Sequence, residues 1–478
     1  MISQEPISQR EGPRDECGVF GVFAPEQDVA RLAYFALYAL QHRGQESAGI
    51  ATSQSGHIIA LRDLGLVSQV FDEPKLQALA GDIALGHVRY STTGSSAWEN
   101  AQPIYRSDRR EVALAHNGNL INAVELHSEL REQGVEFRST SDSEIIAALL
   151  STSEAETIED AIEAVMPRLE GAFSTAVMTK DSLIAFRDGA GLRPLAIGRL
   201  GDRYCVASES CAFDIIGAKF LREVQPGEMV SIDARGIESR QIVSGARRAF
   251  CVFEHIYFAR PDTRLEGRLN QVSRRRMGEV LWREAPVDAD LVIAVPDSGN
   301  PAAGGYSTAS GIPKDDGLIK NRYVARTFIQ PGQALRKHGL RMKFNPLPEI
   351  VGGKRLVVVD DSIVRGNTTR QIVKILRDAG ASEVHMRVSA PPIRHPCHYG
   401  VDMSTTQEMV AHGRTTDEVA EELGCDSLAY LSLDGLYEAI DLPRETHCDA
   451  CFTGEYPLER SDAAGGKYAL EELAVVQA

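Results

Sequence analysis

The chain has 478 residues, of which 43% are hydrophobic and 25% charged, and its formal net charge is −16. This length predicts two or three domains, and the acidic balance argues against general binding to nucleic acid or anionic membranes, which would require a broad basic surface. No apolar run is long enough to cross a bilayer, and residues 1–16 lack the apolar core of a secretion signal, so we expect a cytoplasmic protein. Eight cysteines in so long a chain do not suggest a disulfide scaffold and raise the question of metal binding or catalysis.

The chain divides into two halves of different character. Up to about Ile242, short β-like runs alternate with turns and a few helices. Beyond Cys251, strands such as RLVVVDD and EVHMRVSAP are separated by stretches with helical periodicity, which predicts a parallel α/β sheet. We place the boundary within residues 244–249 and expect domains at 17–246 and 247–478, while the tail after Glu459 gives only a weak signal.

The first candidate for chemistry is Cys17, in the segment DECGVFG. On its own, a cysteine before a glycine and an apolar strand is more often structural than catalytic. Four downstream segments change this interpretation, because each places polar groups at the end of an apolar run: YALQHRGQESAGI, GHVRYSTTG, AHNGNL and STSDSE. In this order they resemble the glutaminase domain of the N-terminal-nucleophile (Ntn) amidotransferases.

The resemblance implies both a fold and a maturation step. The implied fold is an α+β domain with αββα layers. In that family the nucleophilic cysteine is the first residue of the mature chain, and its freed α-amine is the general base for its own thiol. Residues 1–16 would therefore be a propeptide, removed by cleavage between Glu16 and Cys17.

The resemblance also implies roles for the polar residues of these segments. Attack on the glutamine amide creates an oxyanion, which needs hydrogen-bond donors already in place. Asn117 and the N–H of Gly118 match the family's oxyanion hole. The matches to its glutamine-binding positions are Arg89 for the substrate carboxylate, Asp142 for the amino group, and Arg43 and Gly44 for a further wall of the pocket. Taken singly, Arg89 or Asp142 could equally belong to a surface ion pair, and HNG to a tight turn.

In the second half, VIAVPDSGNPAA at 292–303 is a strand that runs into a loop of small residues. Open N–H groups at such a turn form a nest that suits a pyrophosphate group. Without further support, a proline- and glycine-rich turn with no ligand is the simpler interpretation.

A basic stretch without any acid follows between Leu318 and Leu347. A solvated basic loop is the usual explanation for such a run, and a nucleic-acid contact is a second. The basic residues are Lys320, Arg322, Arg326, Arg336, Lys337, Arg341 and Lys343.

The strongest ligand signal is LVVVDDSIVRGNTTR at 356–370, where an apolar strand delivers Asp360 and Asp361 into a loop of small residues. In a parallel sheet, ligands bind beyond the carboxyl ends of the strands. The loop N–H groups, and the amino end of the helix predicted to follow, would surround a phosphate. An ordinary strand-to-helix turn with a polar cap is the simpler alternative. The segment closely resembles the phosphoribosyl-diphosphate (PRPP) signature of type I phosphoribosyltransferases.

This second resemblance implies a PRPP site with magnesium. The acid pair would hold the ribose hydroxyls and, with Ser298, the magnesium shell, for which a few protein oxygens suffice. The loop at 297–302 would take the pyrophosphate. KNRYVARTFIQPGQ resembles the flexible catalytic loop of glutamine PRPP amidotransferases, whose cations close over the diphosphate and exclude water. The predicted PRPP-binding residues are Asp297, Ser298, Gly299, Asn300, Pro301, Lys320, Arg322, Asp360, Asp361, Ser362, Ile363, Val364, Arg365, Gly366, Asn367 and Thr368.

Together the two halves resemble one family, the amidophosphoribosyltransferases, across nearly the whole chain. The implied reaction converts glutamine, PRPP and water to 5-phosphoribosylamine, glutamate and pyrophosphate, the first committed step of purine (IMP) biosynthesis, and ammonia would pass inside the protein from Cys17 to the sugar. The resemblance also implies a homotetramer inhibited by purine nucleotides. Two alternatives are a non-catalytic PRPP-binding regulator, which would need no glutaminase half, and a glutaminase that feeds another phosphosugar, which would release no pyrophosphate.

Four cysteines remain to be explained: Cys251, Cys397, and the pair Cys448 and Cys451 in CDAC. This set suits a tetrahedral zinc or a four-iron cluster, and spacing alone cannot choose; a lone C-x-x-C could also be a redox pair or simply buried. The propeptide-containing subgroup of the family carries a structural 4Fe-4S cluster, and these four positions match its ligands. The other cysteines, Cys205, Cys211 and Cys425, have no such match, and we expect them to be buried.

Overall fold

The computed structural model describes residues 17–90, 96–321, 343–403, 405–458 and 469–476. The predicted propeptide at 1–16 and most of the predicted catalytic loop, including Arg322, lie outside the described residues. No helix within the described ranges is both long and apolar enough to pass through a bilayer.

The first half is built on two antiparallel sheets. Its strands are β1 Gly18–Phe23, β2 Ser47–Gln54, β3 His57–Leu64, β4 Ile83–Arg89, β5 Ile104–Ser107, β6 Glu111–Leu120, β7 Gly171–Met178, β8 Leu183–Arg187, β9 Ala196–Leu200, β10 Arg203–Ala207, β11 Lys219–Glu223, β12 Glu228–Asp233 and β13 Gly236–Gln241. The larger sheet has the order β11-β9-β10-β1-β4-β2-β3, and the smaller has the order β13-β12-β8-β7-β6-β5.

Helices cover the outer faces of both sheets. They are α1 Val29–Ala39, α2 Val67–Val70, α3 Glu73–Ala78, α4 Ala123–Glu132, α5 Asp142–Thr152, α6 Ile158–Val165 and α7 Cys211–Ile215. Alternation along β1 shows the layering, because Val19 and Phe23 point into the core between the sheets while Phe20 and Val22 pack beneath α1. Helices α4, α5 and α6 pack on the smaller sheet in the same way. The predicted αββα order is confirmed.

The second half contains the predicted parallel sheet. The strands of this half are β14 Phe250–Cys251, β15 Arg264–Leu265, β16 Arg268–Leu269, β17 Leu291–Ala294, β18 Leu318–Lys320, β19 Phe344–Pro346, β20 Arg355–Asp360, β21 Glu383–Val388, β22 Ser427–Tyr430 and β23 His447–Cys448. Strands β17, β20, β21 and β22 pair in that order, all parallel. Val357 and Val358 of β20 enter two different core clusters, one on each face, which explains its continuous apolar run.

The described residues of the second half also form helices. They are α8 Asn270–Glu284, α9 Asn300–Ser310, α10 Pro348–Val351, α11 Asn367–Asp378, α12 Thr416–Leu423, α13 Leu433–Ile440, α14 Ala450–Thr453 and α15 Ala469–Val476. Helix α11 buries the apolar face that its sequence predicts, with Ile372, Val373 and Leu376 in the core of the sheet. Helices α9 and α11 each begin directly after the loop that follows a parallel strand.

One strand pair joins distant parts of the second half, and one helix connects the two halves. The short parallel pair of β14 and β23 brings Cys251 opposite Cys448. The last helix, α15, packs on the first half, where Leu470 is buried in the core formed with α4, α5 and α6. The tail carries only a weak signal in the sequence, because α15 is short and its partner surface lies far away along the chain.

Candidate functional site

Cys17 lies directly before β1, at the edge of the larger sheet. Gly18 of β1 pairs with Val88 of β4, so Cys17 and Arg89 are neighbours just beyond this register. The Cys17 thiol donates to the carbonyl of Tyr90 at 3.4 Å and is buried. Burial raises the pKa of Cys17 to about 11, although the charge of Arg89 opposes the shift. The thiol is therefore neutral near pH 7 and needs a base to become a nucleophile.

Arg89 and Asp142 both act electrostatically on Cys17, so the structure brings three predicted residues together. Arg89 is 3% exposed, and burial lowers its pKa while the charges of Cys17, Glu46 and Asp142 oppose that shift. Asp142 is the first residue of α5, and its Oδ2 accepts a hydrogen bond from the N–H of Leu120 at 3.0 Å. This bond fixes the Asp142 carboxylate against β6.

Strand β6 also carries the predicted oxyanion donors. The Nδ2 atom of Asn117 is buried and has no hydrogen-bond partner among the described residues. Such an unpaired buried donor is costly unless a ligand uses it. Gly118 has φ +153°, and a Cβ at this position would lie 1.9 Å from the carbonyl oxygen of Ala172. Only glycine fits this close approach of β6 to β7.

Gly44 and Arg43, predicted to form a further wall of the pocket, lie next to Arg89 and Cys17. A Cβ on Gly44 would lie 2.6 Å from the backbone of Arg89, so glycine lets the segment before β2 pass close to β4. The sequence placed Arg43 on the pocket wall, but its guanidinium lies in a buried ion network. It donates to Glu209 at 2.6 Å and to Glu254 at 2.7 Å, and its Nε donates to the carbonyl of Cys17 at 3.1 Å.

The two loops predicted to bind PRPP meet at one edge of the parallel sheet. Strands β17 and β20 are neighbours, with Ala294 opposite Val359, so both chains leave the sheet side by side. Burial raises the pKa of both Asp360 and Asp361, and for Asp360 the charge of its neighbour adds to this. A side-chain hydrogen bond from Ser298 opposes the shift for Asp361. The three predicted magnesium ligands are thus close together.

The loop after β20 has the geometry expected of a phosphate loop. Gly366 has φ +76° and directly precedes the twelve-residue helix α11, whose amino end faces the loop. The hydroxyl of Ser362 donates to Asp361 at 2.6 Å. Ile363 and Val364 are buried in the core on either face of the sheet, so only their main-chain atoms can face a ligand.

The loop predicted to hold pyrophosphate makes a close approach to β20. A Cβ on Gly299 would lie 2.4 Å from the carbonyl oxygen of Val359, so this position requires glycine. Asp297 forms an ion pair with Lys320 at 2.8 Å, and both side chains are partly exposed. Asn300 and Pro301 form the first turn of α9. Arg322 and the loop residues after it lie outside the described residues.

Arg274 of α8 is a buried charge that the sequence did not single out. Its Nε donates to the carbonyl of His255 at 2.9 Å, and its Nη2 donates to that of Ala259 at 2.7 Å. Burial lowers the pKa of Arg274 to about 10, and the charge of Asp361 opposes this most strongly. It therefore supplies a fixed positive charge beside the acid pair. Three consecutive arginines occur at 274–276, and only the packing of α8 reveals which one is buried.

The four predicted cluster cysteines line one small cavity. No three of their sulfur atoms lie within 4.8 Å of one another, although all four belong to the described residues. Four thiolates on one zinc ion would be about 3.8 Å apart, given zinc–sulfur bonds of about 2.3 Å. Burial raises the pKa of Cys448 to about 12, and the N–H of Tyr399 donates to the Cys397 sulfur at 3.4 Å. The spacing favours a group larger than one metal ion.

A second set of metal-type side chains lies beside the cysteines. Ligand atoms of His255, Glu266 and His447 fall within 4.8 Å of one another. Nε2 of His447 is 2.7 Å from the Glu266 carboxylate, and its Nδ1 is 2.9 Å from the carbonyl of Pro443. His447 and Glu266 are therefore hydrogen bonded, whereas Nε2 of His255 lies 3.6 Å from Glu266, and neither ring nitrogen of His255 has a hydrogen-bond partner among the described residues.

Comparisons with known proteins agree with this arrangement. A family model described as a glutamine amidotransferase domain matches residues 87–214. The amidophosphoribosyltransferase of Mycobacterium tuberculosis is 49% identical over 487 residues, which covers 99% of this chain and 92% of that protein.

Two solved structures extend the similarity to the fold. The Bacillus subtilis glutamine PRPP amidotransferase complexed with ADP and GMP matches with a TM-score of 0.89 and 45% identity, covering 95% of this chain and 100% of that one. A structure described as the allosteric regulatory enzyme of purine biosynthesis matches with a TM-score of 0.90 and 46% identity, covering 95% and 99%.

Proposed function

Because this chain belongs to the amidophosphoribosyltransferase family, we propose that its two halves carry out the two stages of that family's reaction. The enzyme is a glutamine-dependent glycosyltransferase of purine biosynthesis. In the first stage, Cys17 attacks the side-chain amide of glutamine and ammonia is released. In the second stage, ammonia displaces pyrophosphate from carbon 1 of PRPP, which is held by Asp360 and Asp361.

One observation carries the assignment of the first site. Cys17, Arg89 and Asp142 interact electrostatically, and β6, which holds Asp142 in place, presents the unpaired amide of Asn117. A buried donor without a partner among the described residues, close to a nucleophile, suits an oxyanion that forms only during the reaction. Arg89 would grip the substrate carboxylate through its two-pronged guanidinium, and Asp142 would bind the amino group.

Maturation would supply the missing base. The neutral thiol of Cys17 would lose its proton to the α-amine that is freed when residues 1–16 are removed. As the tetrahedral intermediate collapses to the thioester, the protonated amine would give its proton to the departing amide nitrogen, which leaves as ammonia, and water would then hydrolyse the thioester to glutamate. Asn117 and the N–H of Gly118 would stabilise the oxyanion, and Arg43 would hold the Cys17 backbone through its hydrogen bond to the carbonyl.

The second site fits a PRPP molecule with magnesium. Two acids whose buried carboxyls have raised pKa values, together with the Ser298 hydroxyl, form an all-oxygen donor set of the kind that Mg²⁺ prefers. When bound, the ion would neutralise charge on the diphosphate leaving group. The loop at 297–301 would hold that diphosphate with Lys320, and the main chain of 362–368 would hold the 5-phosphate. Arg322 and the loop that follows it would complete the closure.

The cysteine set fits a 4Fe-4S cluster better than a single zinc ion. Sulfur spacing wider than a zinc site requires, and a backbone N–H that donates to Cys397, both support this assignment. Cys251, Cys397, Cys448 and Cys451 would be its ligands, and the group would serve as a structural cross-link.

Further features of the family are carried over as part of the proposal. The change from antiparallel sheets to a parallel sheet after β13 supports domains at 17–246 and 247–478. Because the B. subtilis relative was solved with ADP and GMP, we propose that purine nucleotides inhibit this enzyme. A homotetramer and a cytoplasmic location complete the proposal.

Separating the two stages by mutation tests this assignment. Cys17→Ala should abolish glutamate release and glutamine-dependent pyrophosphate release but leave ammonia-dependent pyrophosphate release. Cys205→Ala, a buried cysteine away from both sites, is the control and should keep both activities. Loss of ammonia-dependent turnover in Cys17→Ala, or its survival in Asp361→Asn, would contradict the proposed division. Intact-mass analysis of the purified chain should show that it begins at Cys17.

A further inference from the structure

We propose that His398, Tyr399 and Gly400, which we call the 398–400 brace, position the oxyanion strand β6 for glutamine cleavage. The brace belongs to the second half and directly follows the cluster cysteine Cys397. The inference rests on the proposed roles of Cys17 and Asn117, and it adds positioning residues that touch no substrate. It makes the cysteine set and the glutamine site parts of one rigid unit.

The brace touches β6 through its main chain. The side-chain amide of Asn119 donates to the carbonyl oxygen of His398 at 2.9 Å. Gly400 has φ +108°, and a Cβ on it would lie 3.2 Å from both the carbonyl carbon and the carbonyl oxygen of Gly118. The brace therefore packs directly on the peptide that links Gly118 to Asn119. Any shift of this peptide would move the oxyanion donors on the same strand.

A buried arginine holds the brace from the other side. Arg193 is 1% exposed, and its Nε and Nη2 donate to the carbonyl of Tyr399 at 3.0 and 2.7 Å. Its Nη1 lies 3.9 Å from Glu254, which accepts a hydrogen bond from Arg43 at 2.7 Å. Arg43 in turn donates to the carbonyl of Cys17. One buried ionic network thus supports both the brace and the backbone of the nucleophile.

Cys397, the residue directly before the brace, belongs to the cysteine set and is held by hydrogen bonds. The N–H of Tyr399 donates to the Cys397 sulfur at 3.4 Å, and the N–H of Cys397 donates to the carbonyl of Met403 at 3.0 Å. The hydroxyl of Tyr399 donates to the carbonyl of Leu458 at 2.9 Å, beyond CDAC. Fixing Cys397 therefore fixes the brace, and the brace transmits that constraint to β6.

A positioning role and a simple packing role lead to different kinetics. Arg89 lies on β4, but Asp142 is held by the N–H of Leu120 on β6, so a displaced brace should lower kcat for glutamine strongly and raise KM to a smaller extent. The ammonia-dependent reaction uses the loops at the edge of the parallel sheet and should be spared. A simple packing role would reduce stability and both activities together.

The test uses Gly400→Ala in the full-length, processed protein, prepared without oxygen. We expect at least a tenfold lower kcat for glutamate release, since ångström-scale misplacement costs on the order of a hundredfold, with a smaller rise in KM and with ammonia-dependent pyrophosphate release within about twofold of wild type. Iron per chain and the rate of Cys17 alkylation by iodoacetamide should not change, because alkylation needs no oxyanion hole. Gly217→Ala is the matched control: its φ is +72°, and a Cβ there would meet no atom within 4 Å.

Asn119→Ala provides a second route if Gly400→Ala does not fold. It removes the hydrogen bond to His398 from the side of β6 and should show the same loss of kcat, a smaller change in KM and an unchanged iron content. The inference is wrong if the folded variant keeps the wild-type glutamine kcat, or if glutamine- and ammonia-dependent rates fall in parallel. Failure of the proposed function would appear separately, as glutamine cleavage that survives in Cys17→Ala.

Discussion

The two candidate sites differ in how completely the protein builds them before substrate arrives. Cys17, Arg89, Asn117 and Asp142 are all at most 5% exposed, and their positions are set by strands and the start of a helix. At the other site the acids are buried, but the ion pair of Asp297 and Lys320 is partly exposed.

This difference follows from the chemistry proposed for each site. An oxyanion develops on one atom, so its donors must be fixed before the reaction begins. PRPP brings a large, highly charged leaving group that must enter and depart, and such a group is better enclosed by loops. Mutations at the glutamine site should therefore lower only the glutamine-dependent rate, whereas mutations at the PRPP site should lower the rate with glutamine and with ammonia.

The largest effect is expected for Asp361→Asn. Removing one carboxylate weakens both magnesium binding and the hydrogen bonds to the ribose hydroxyls. A loss of about 4 kcal/mol of transition-state stabilisation corresponds to about a 1,000-fold lower rate. Pyrophosphate release should fall with glutamine and with ammonia as nitrogen source. Asp316→Asn, an exposed acid outside the loops, is the control and should be silent. A loss confined to glutamine would show that Asp361 does not serve the PRPP site.

Asn117→Ala should lower kcat for glutamate release by about 100- to 1,000-fold, the usual cost of removing one oxyanion donor. Since the amide has no partner among the described residues, its removal breaks no existing bond, and the melting temperature should stay the same. Steady-state kinetics and thermal unfolding measure the two quantities. A large drop in stability with unchanged kcat would assign Asn117 a structural role instead.

Arg89→Lys should raise KM for glutamine while changing kcat little. Replacing a two-pronged, charge-assisted contact with a single ammonium forfeits about 1.5–3 kcal/mol, or roughly 10- to 100-fold in affinity. Ammonia-dependent turnover serves as the internal control. An unchanged KM would mean that Arg89 does not bind the substrate carboxylate.

The pH dependence of Cys17 alkylation tests the role of the α-amine. With residue 16 still attached, burial raises the thiol pKa to about 11, so its thiolate population and alkylation rate should keep rising as pH increases from 8 to about 11. A chain that begins at Cys17 should react with iodoacetamide at least about tenfold faster at pH 8, because the free amine accepts the proton. Equal alkylation rates for the two forms would show that the free α-amine does not activate the Cys17 thiol.

The smallest effect is expected at α15. Glu471 accepts a hydrogen bond from Thr140 at 3.3 Å, and its charge acts on Arg89. Its carboxylate therefore competes with substrate for this guanidinium, and Glu471→Gln should lower KM for glutamine by about two- to fivefold, the range of a partly exposed ion pair. Glu472→Gln, the exposed neighbour, is the control. A higher KM in Glu471→Gln would show that the helix supports substrate binding.

The sequence predicts features that depend on local order along the chain. Cys17 and Arg89 could be matched to one site because each lies at the end of an apolar strand, and the pairing of β1 with β4 brings them together. Asp360 and Ser298 likewise follow strands that turned out to be neighbours. The ends of strands can be predicted from the sequence because alternating or continuous apolar runs stop there.

Contacts between distant segments could not be read in the same way. Arg43 was expected on the pocket wall, but its partners Glu209 and Glu254 come from other parts of the chain, and only the fold brings these acids to it. The packing of Gly400 on Gly118 depends on how the halves dock. Arg274 is one of three consecutive arginines, and no local signal says which of them is buried beside Asp361.

The central claim is that nitrogen released at Cys17 is the nitrogen captured at the Asp360–Asp361 site. Supplying glutamine labelled with ¹⁵N in the side-chain amide, together with an equal concentration of unlabelled ammonium and PRPP, tests it directly by mass spectrometry of trapped 5-phosphoribosylamine. We predict that nearly all product nitrogen from the wild type carries the label and that none does in Cys17→Ala. The account would be contradicted if the wild-type product contained equal amounts of labelled and unlabelled nitrogen, or if Cys17→Ala gave labelled product.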